Sequence, residues 1–153
     1  MSDPMPYLER VKIQTEILLP LFRRMREELG NAKACELLRH AVNDYATSLG
    51  ESIAAQNQGS PLAKLKAMLP VFVADDALDI EPLEDSEKNL FLNVRGCRYA
   101  EYFKELGEPE FGAMLTCEID PPIIKGISAD LALQRTRTIM SGATHCDFRW
   151  TQD

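Results

Sequence analysis

Apolar residues recur every three or four positions through the first part of the chain. Leu8, Val11, Thr15, Leu18, Phe22, Met25 and Leu29 draw one stripe along a helix over residues 7–29. Pro20 lies inside it, removes a backbone donor and crowds the carbonyl of Glu16, so a kink is expected there. Gly30-Asn31 then reads as a C-cap glycine followed by an N-cap. A second stripe, Cys35, Leu38, Val42, Tyr45, Leu49 and Ile53, predicts a helix over 32–56 with Cys35 in the core. His40 falls off this stripe and reads as a surface histidine. Ser60-Pro61 opens a third helix, from 61 to about 69, before Pro70.

The pattern then changes. Leu78, Ile80 and Leu83, with Pro82 among them, suggest a short edge strand, where proline is tolerated. Leu90, Leu92 and Val94 alternate with polar or outward positions, a period of two. With residues 84–88 as the loop, the two runs form a hairpin. Helical spacing returns over 97–107 and 108–118, and Pro121-Pro122 is expected to break it. Strands are predicted over 131–138 and 146–150, joined by a turn at 141–144. This order predicts an α+β fold, with N-terminal helices packed on a mostly antiparallel sheet of about four strands and an inserted helical pair. One domain over 1–153 is expected, with a helical part over 1–70 and a sheet-containing part with the candidate site over 71–153.

Composition narrows the function. The chain has 153 residues, 45% apolar and 27% charged, enough for a core without a disulfide or metal staple. Its formal charge of −7 argues against nucleic acid or an anionic membrane as partner. Residues 1–70 hold nine bases and eight acids, whereas residues 71–153 hold eight bases and sixteen acids. Seven of those acids lie in 74–87 without a base, a solvated stretch suited to protecting a sheet edge, or to docking another protein. No apolar run approaches membrane-span length. The opening MSDPMPYLER lacks the apolar segment of a secretory leader. Cys35, Cys97, Cys117 and Cys146 are spaced by 62, 20 and 29 residues with no CxxC pair. Free thiols in a reducing cytoplasm are therefore expected.

Three junctions carry candidate chemistry. Cys97 stands where a strand meets a helix, in the run Gly96-Cys97-Arg98-Tyr99-Ala100-Glu101. The positive end of a helix dipole there favours thiolate, while the bland alternative is a buried cap cysteine. Cys117 and Asp120 are three apart and share a helix face, so a thiol and a carboxylate could enter one pocket. A carboxylate raises the pKa of a neighbouring thiol, which casts Asp120 as base or substrate orienter rather than thiol activator. In the last strand Cys146, Phe148 and Trp150 share an inward face, and Asp147 and Arg149 the other. His145 at its entrance suits acid–base work near neutral pH, though a lone loop histidine is more often a surface residue. Arg135 and Arg137 offer forks for a ligand carboxylate, or for cross-strand pairing. Zinc-type ligands are present but scattered, and no Gly-rich phosphate loop, GxSxG or HExxH occurs. No metal and no cofactor is expected.

The stretch RTRTIMSGATHCDFRW over 135–150 resembles the terminal signature of the L-2-amino-thiazoline-4-carboxylic acid hydrolase family. GCRYAEYFKELGEPE over 96–110, CEID over 117–120 and EILLPLFRRMREELG over 16–30 are similar to the same family in the same order. Pro121-Pro122 departs from the family pattern, in which an aromatic or small residue usually follows the aspartate. The resemblance implies hydrolytic opening of a cyclic amidine: water adds at C2 of a thiazoline, the C–S bond breaks, and N-carbamoyl-L-cysteine results. It implies Cys97 as nucleophile or pocket thiol, Asp120 as base or amidinium holder, His145 as proton donor and Cys146 as pocket member. Tyr99, Glu101, Cys117, Arg135 and Arg137 would contact substrate. The expected partner is a small-molecule substrate, with a homo-oligomer left open. The competing reading is a non-catalytic ligand-binding or sensor module on the same fold.

Overall fold

The computed structural model describes residues 4–153; the first three residues of the opening stretch lie outside it. Three helices lead: α1 (Tyr7–Leu29), α2 (Asn31–Gln56) and α3 (Pro61–Val73). Helix α1 runs through Pro20, and its buried side includes Leu8, Val11, Thr15, Leu19 and Phe22. Ser60 caps α3 by accepting from the Ala63 amide, with Pro61 at the start. The helix continues through Pro70 to Val73, four residues beyond the expected end. The Pro70 ring is exposed, while Leu62, Leu65 and Met68 face the core.

Strands β1 (Leu78–Asp85) and β2 (Asn89–Cys97) form the expected hairpin. They are followed by α4 (Arg98–Glu105), α5 (Pro109–Gly112) and a π-helical turn over Ala113–Cys117. Next come α6 (Asp120–Ile127), β3 (Leu131–Gln134) and β4 (Cys146–Gln152). The sheet is antiparallel in the order β1-β2-β4-β3, so the fold is α+β as the sequence pattern predicts. Pro82 lies on the edge strand β1, beside a register shift.

Two expectations are corrected. Pro121-Pro122 opens α6 instead of breaking a helix: proline in the first turn costs no intrahelical hydrogen bond, because those amides have no partner anyway. The third strand ends at Gln134, not residue 138. Beyond it the Asp147 carboxylate accepts from the Thr136 and Arg137 amides and from the Thr136 hydroxyl. Those donors are thereby taken from a further strand ladder.

The buried side chains form one continuous cluster between the helices and one face of the sheet. Register places Leu78, Ile80, Leu92, Val94, Cys146, Phe148 and Trp150 on that face. Helix α6 docks on α2 through two glycines: the Gly50 and Gly126 Cα positions come close enough that a Cβ on Gly50 would sit 2.0 Å from the Ile123 carbonyl oxygen. This contact fixes the height of Asp120, the first residue of α6. Glu108, buried at the head of α5, accepts from Arg23 Nε at 3.0 Å and Arg26 Nη2 at 2.8 Å, tying that segment to α1. No helix among the described residues is long and apolar enough to cross a membrane.

Candidate functional site

The inner face of the sheet, α3, the start of α1 and the segment from the π-turn to α6 enclose a pocket. Its cavity volume is about 90 Å³. Its walls are mainly apolar. Tyr7 stacks on Phe72 with centroids 4.3 Å apart, and Phe148 stacks on Trp150 at 4.8 Å. Tyr99 also lines it, but its hydroxyl donates to the Phe72 carbonyl at 2.8 Å, so it offers the cavity a ring rather than a free donor.

At one end stand the charged lining residues, Asp120 and Arg135. Arg135 Nη1 donates to Asp120 Oδ2 at 2.5 Å, its Nη2 to the Cys117 carbonyl at 3.0 Å, and its guanidinium lies 5.1 Å from the Phe148 ring centre. The π-turn makes this possible. Its longer loop, closed by Glu118 N–H to the Ala113 carbonyl, sets Cys117 and Asp120 toward the same guanidinium. The side chains of Arg135 and Asp120 retain 13% and 17% exposure. Burial pushes the Asp120 carboxyl up to about 6, against the opposing pull of Arg135. Most of the Asp120 population is therefore ionised at neutral pH, yet basic enough to accept a proton. The stability linkage has the corresponding sign. The folding advantage of the protonated form is complete below about pH 3.8, the ordinary value, and is lost as pH rises through about 6.

Three thiols line the same cavity: Cys97, Cys117 and Cys146. Cys97 is the N-cap of α4 and its Sγ accepts from the Ala100 amide at 3.4 Å, the helix-terminus geometry expected from sequence. The expected thiolate does not follow. Burial raises Cys97 to about 11, and the Ala100 amide offsets only part of that rise. Burial and the Asp120 carboxylate raise Cys117 to about 12. Cys146 is also raised by burial, partly opposed by the Ile139 amide. All three are neutral thiols at physiological pH. Cys35 lies apart, buried on α2 with its Sγ 3.5 Å from Glu110.

The structure brings together Cys97, Tyr99, Cys117, Asp120, Arg135 and Cys146. His145, Glu101 and Arg137 stand outside the pocket. His145 lies in the bend immediately before β4. Its Nδ1 lies 3.0 Å from the Thr144 hydroxyl. Glu101 is exposed on α4, and Arg137 is exposed beyond the end of β3. Asp147, on the outer face, is held down at about 2: burial opposes ionisation, but the Thr136 hydroxyl and the Thr136 and Arg137 amides outweigh it. Sequence reasoning missed Tyr7, Phe72, Thr116 and Trp150 as lining residues. Only Trp150 carried a signal, its shared parity with Cys146 and Phe148. Among the described residues no three His, Cys, Asp or Glu side chains are grouped to hold a metal ion.

Fold and pocket together define an α+β protein with a mainly apolar cavity between the helices and the inner sheet face. Residues 10–150 match the family model of L-2-amino-thiazoline-4-carboxylic acid hydrolase, and the chain belongs to that family. Comparison with curated proteins finds no match. Among solved structures the chain is similar to the phenol-responsive sensory domain of the transcription activator PoxR, solved with phenol. That similarity has 14% identity and a TM-score of 0.57, and covers 90% of this chain and 74% of that one. At that identity the likeness is one of fold.

Proposed function

We propose that the protein hydrolyses a small cyclic amidine, with Asp120 as general base and Arg135 as the anchor for a substrate carboxylate. The observation that carries this reading is the Asp120–Arg135 pair at the end of an otherwise apolar cavity. A zwitterionic ring compound, amidinium at one side and carboxylate at the other, matches that pair charge for charge. Asp120 takes a proton from water as its oxygen bonds to the amidine carbon. The ring C–S bond then breaks as the added oxygen forms the urea carbonyl and gives its remaining proton to solvent, and the sulfur leaves with the electron pair and takes the proton held by Asp120. Asp120 thus fills the donor role that the resemblance implied for His145. The thiols act as neutral pocket wall, because raised pKa values leave little thiolate to attack carbon.

A second reading has specific support: the neutral thiols, and the fold shared with a sensory domain, both suit a binding module. Incubation with a panel of 2-aminothiazoline carboxylates and related cyclic amidines separates the two. The hydrolase reading predicts release of one free thiol per thiazoline consumed. Saturable binding with no release across the panel would establish the binding module instead.

A further inference from the structure

Helix α1 carries apolar side chains on its outer side as well as its inner one. Ile17 is 72% exposed, Leu21 55% and Ile13 48%. Single exposed apolar residues are ordinary, but these three follow one another in steps of four along one line of the helix. At 3.6 residues per turn, Arg10, Ile13, Ile17, Leu21, Arg24 and Glu28 all fall within about 40° of the Ile17 direction. All six are exposed and none lines the pocket. The line is therefore apolar in the middle and charged at both ends.

The order of those charges selects what covers the face. A second α1 laid parallel would set Arg10 on Arg10, Arg24 on Arg24 and Glu28 on Glu28, like charges throughout. Laid antiparallel about residue 19, it sets Arg10 opposite Glu28 twice and Ile17 opposite Leu21 twice, with Ile13 near the stem of Arg24. Centring the pair on Ile17 instead would put Arg10 against Arg24. Glu28 lies 3.9 Å from Arg24 of its own chain and its side chain is 68% exposed, so it keeps acceptor positions for an arginine of the second copy.

We infer that the outer face of α1 is the contact surface of an isologous homodimer, in which the helix packs antiparallel on its copy, with Ile17 and Leu21 at the centre and an Arg10–Glu28 pair at each end. The helix is about 35 Å long, so a contact one helix wide lies at the small end of the specific range and a micromolar dissociation constant is expected. An anionic lipid surface suits this face less well, because Glu28 stands in the line and would meet it. The surface is separate from the cavity, so the inference does not depend on the hydrolase reading.

Sedimentation equilibrium of the full chain at low salt, over a micromolar concentration range, tests it. The wild type should approach twice the chain mass. Ile17→Glu should raise the dissociation constant about a hundredfold, because each copy would then press a carboxylate against apolar side chains. Its circular dichroism and thermal midpoint should stay those of the wild type, since the position is exposed in the single chain. Arg10→Glu and Glu28→Arg should each weaken association about tenfold, replacing two attractions by two repulsions, and the double variant should recover most of the wild-type affinity. A wild type that stays monomeric, including one that binds phosphatidylglycerol vesicles as a monomer, would overturn the inference. So would a dimer indifferent to Ile17→Glu, or single charge reversals that the double variant does not rescue.

Discussion

Replacing Asp120 by Asn is expected to lower turnover of a cyclic amidine by about 10²–10⁴-fold, the worth of a positioned general base. The substitution keeps the shape of the side chain and an oxygen to accept from Arg135, so the loss isolates the charge and basicity of the carboxylate. Folding should survive. Asn carries no charge to bury, but it leaves the largely buried Arg135 guanidinium without its counter-ion, which costs some stability. The Arg135 guanidinium keeps the Cys117 carbonyl and the Phe148 face. A lowered thermal midpoint in a protein that still folds, with kcat reduced far more than KM is raised, is the expected signature. Full turnover by Asp120→Asn would remove the carboxylate from the chemistry.

Gly50→Ala is expected to destabilise the fold by about 3 kcal/mol, the upper part of the range for overpacking. The added methyl would lie 2.0 Å from the Ile123 carbonyl oxygen and 3.0 Å from Gly126 Cα, both backbone atoms that cannot rotate away. Alanine's higher helix propensity opposes the effect by about 1 kcal/mol, so a net loss measures the helix contact itself. To relieve the clash α6 must move off α2, exposing Ile123 and Ile127, which are buried between them. Because α6 starts at Asp120, the displacement also disturbs the site, and activity should fall in whatever protein remains folded. Urea unfolding checks the first effect; a neutral or stabilising result would mean that the helices are not held this closely.

Local rules made much of the architecture legible. Three-four spacing located α1 and α2, period-two alternation located the hairpin, and Ser60-Pro61 marked the start of α3. Where a local signal has two meanings, it misled. Pro121-Pro122 suits both the end of one helix and the first turn of another, and only the docking of α6 on α2 decides between them. The alternation at Arg135 and Arg137 looks like a strand, but Asp120 and Asp147, from other elements, claim those residues' side chain and backbone. His145 lies in the bend before β4, where neither strand nor helix spacing indicates which way a side chain points. The charge state of Cys97 was beyond local reasoning. The helix terminus is visible in sequence, whereas the burial that outweighs it comes from β1, α3 and β4. For the same reason Tyr7 and Phe72, far apart in the chain, could not be foreseen as one stacked wall.

The pH dependence of thiol release from a cyclic thiazoline tests the central claim most directly. With Asp120 as the base, kcat/KM rises as pH increases through about 6 and is level above it. In Arg135→Met the carboxyl loses the cation that holds it down, so the same rise moves to higher pH. A rate that instead climbs through the region of a buried thiol, near pH 11, or that keeps its midpoint unchanged in Arg135→Met, would contradict the account.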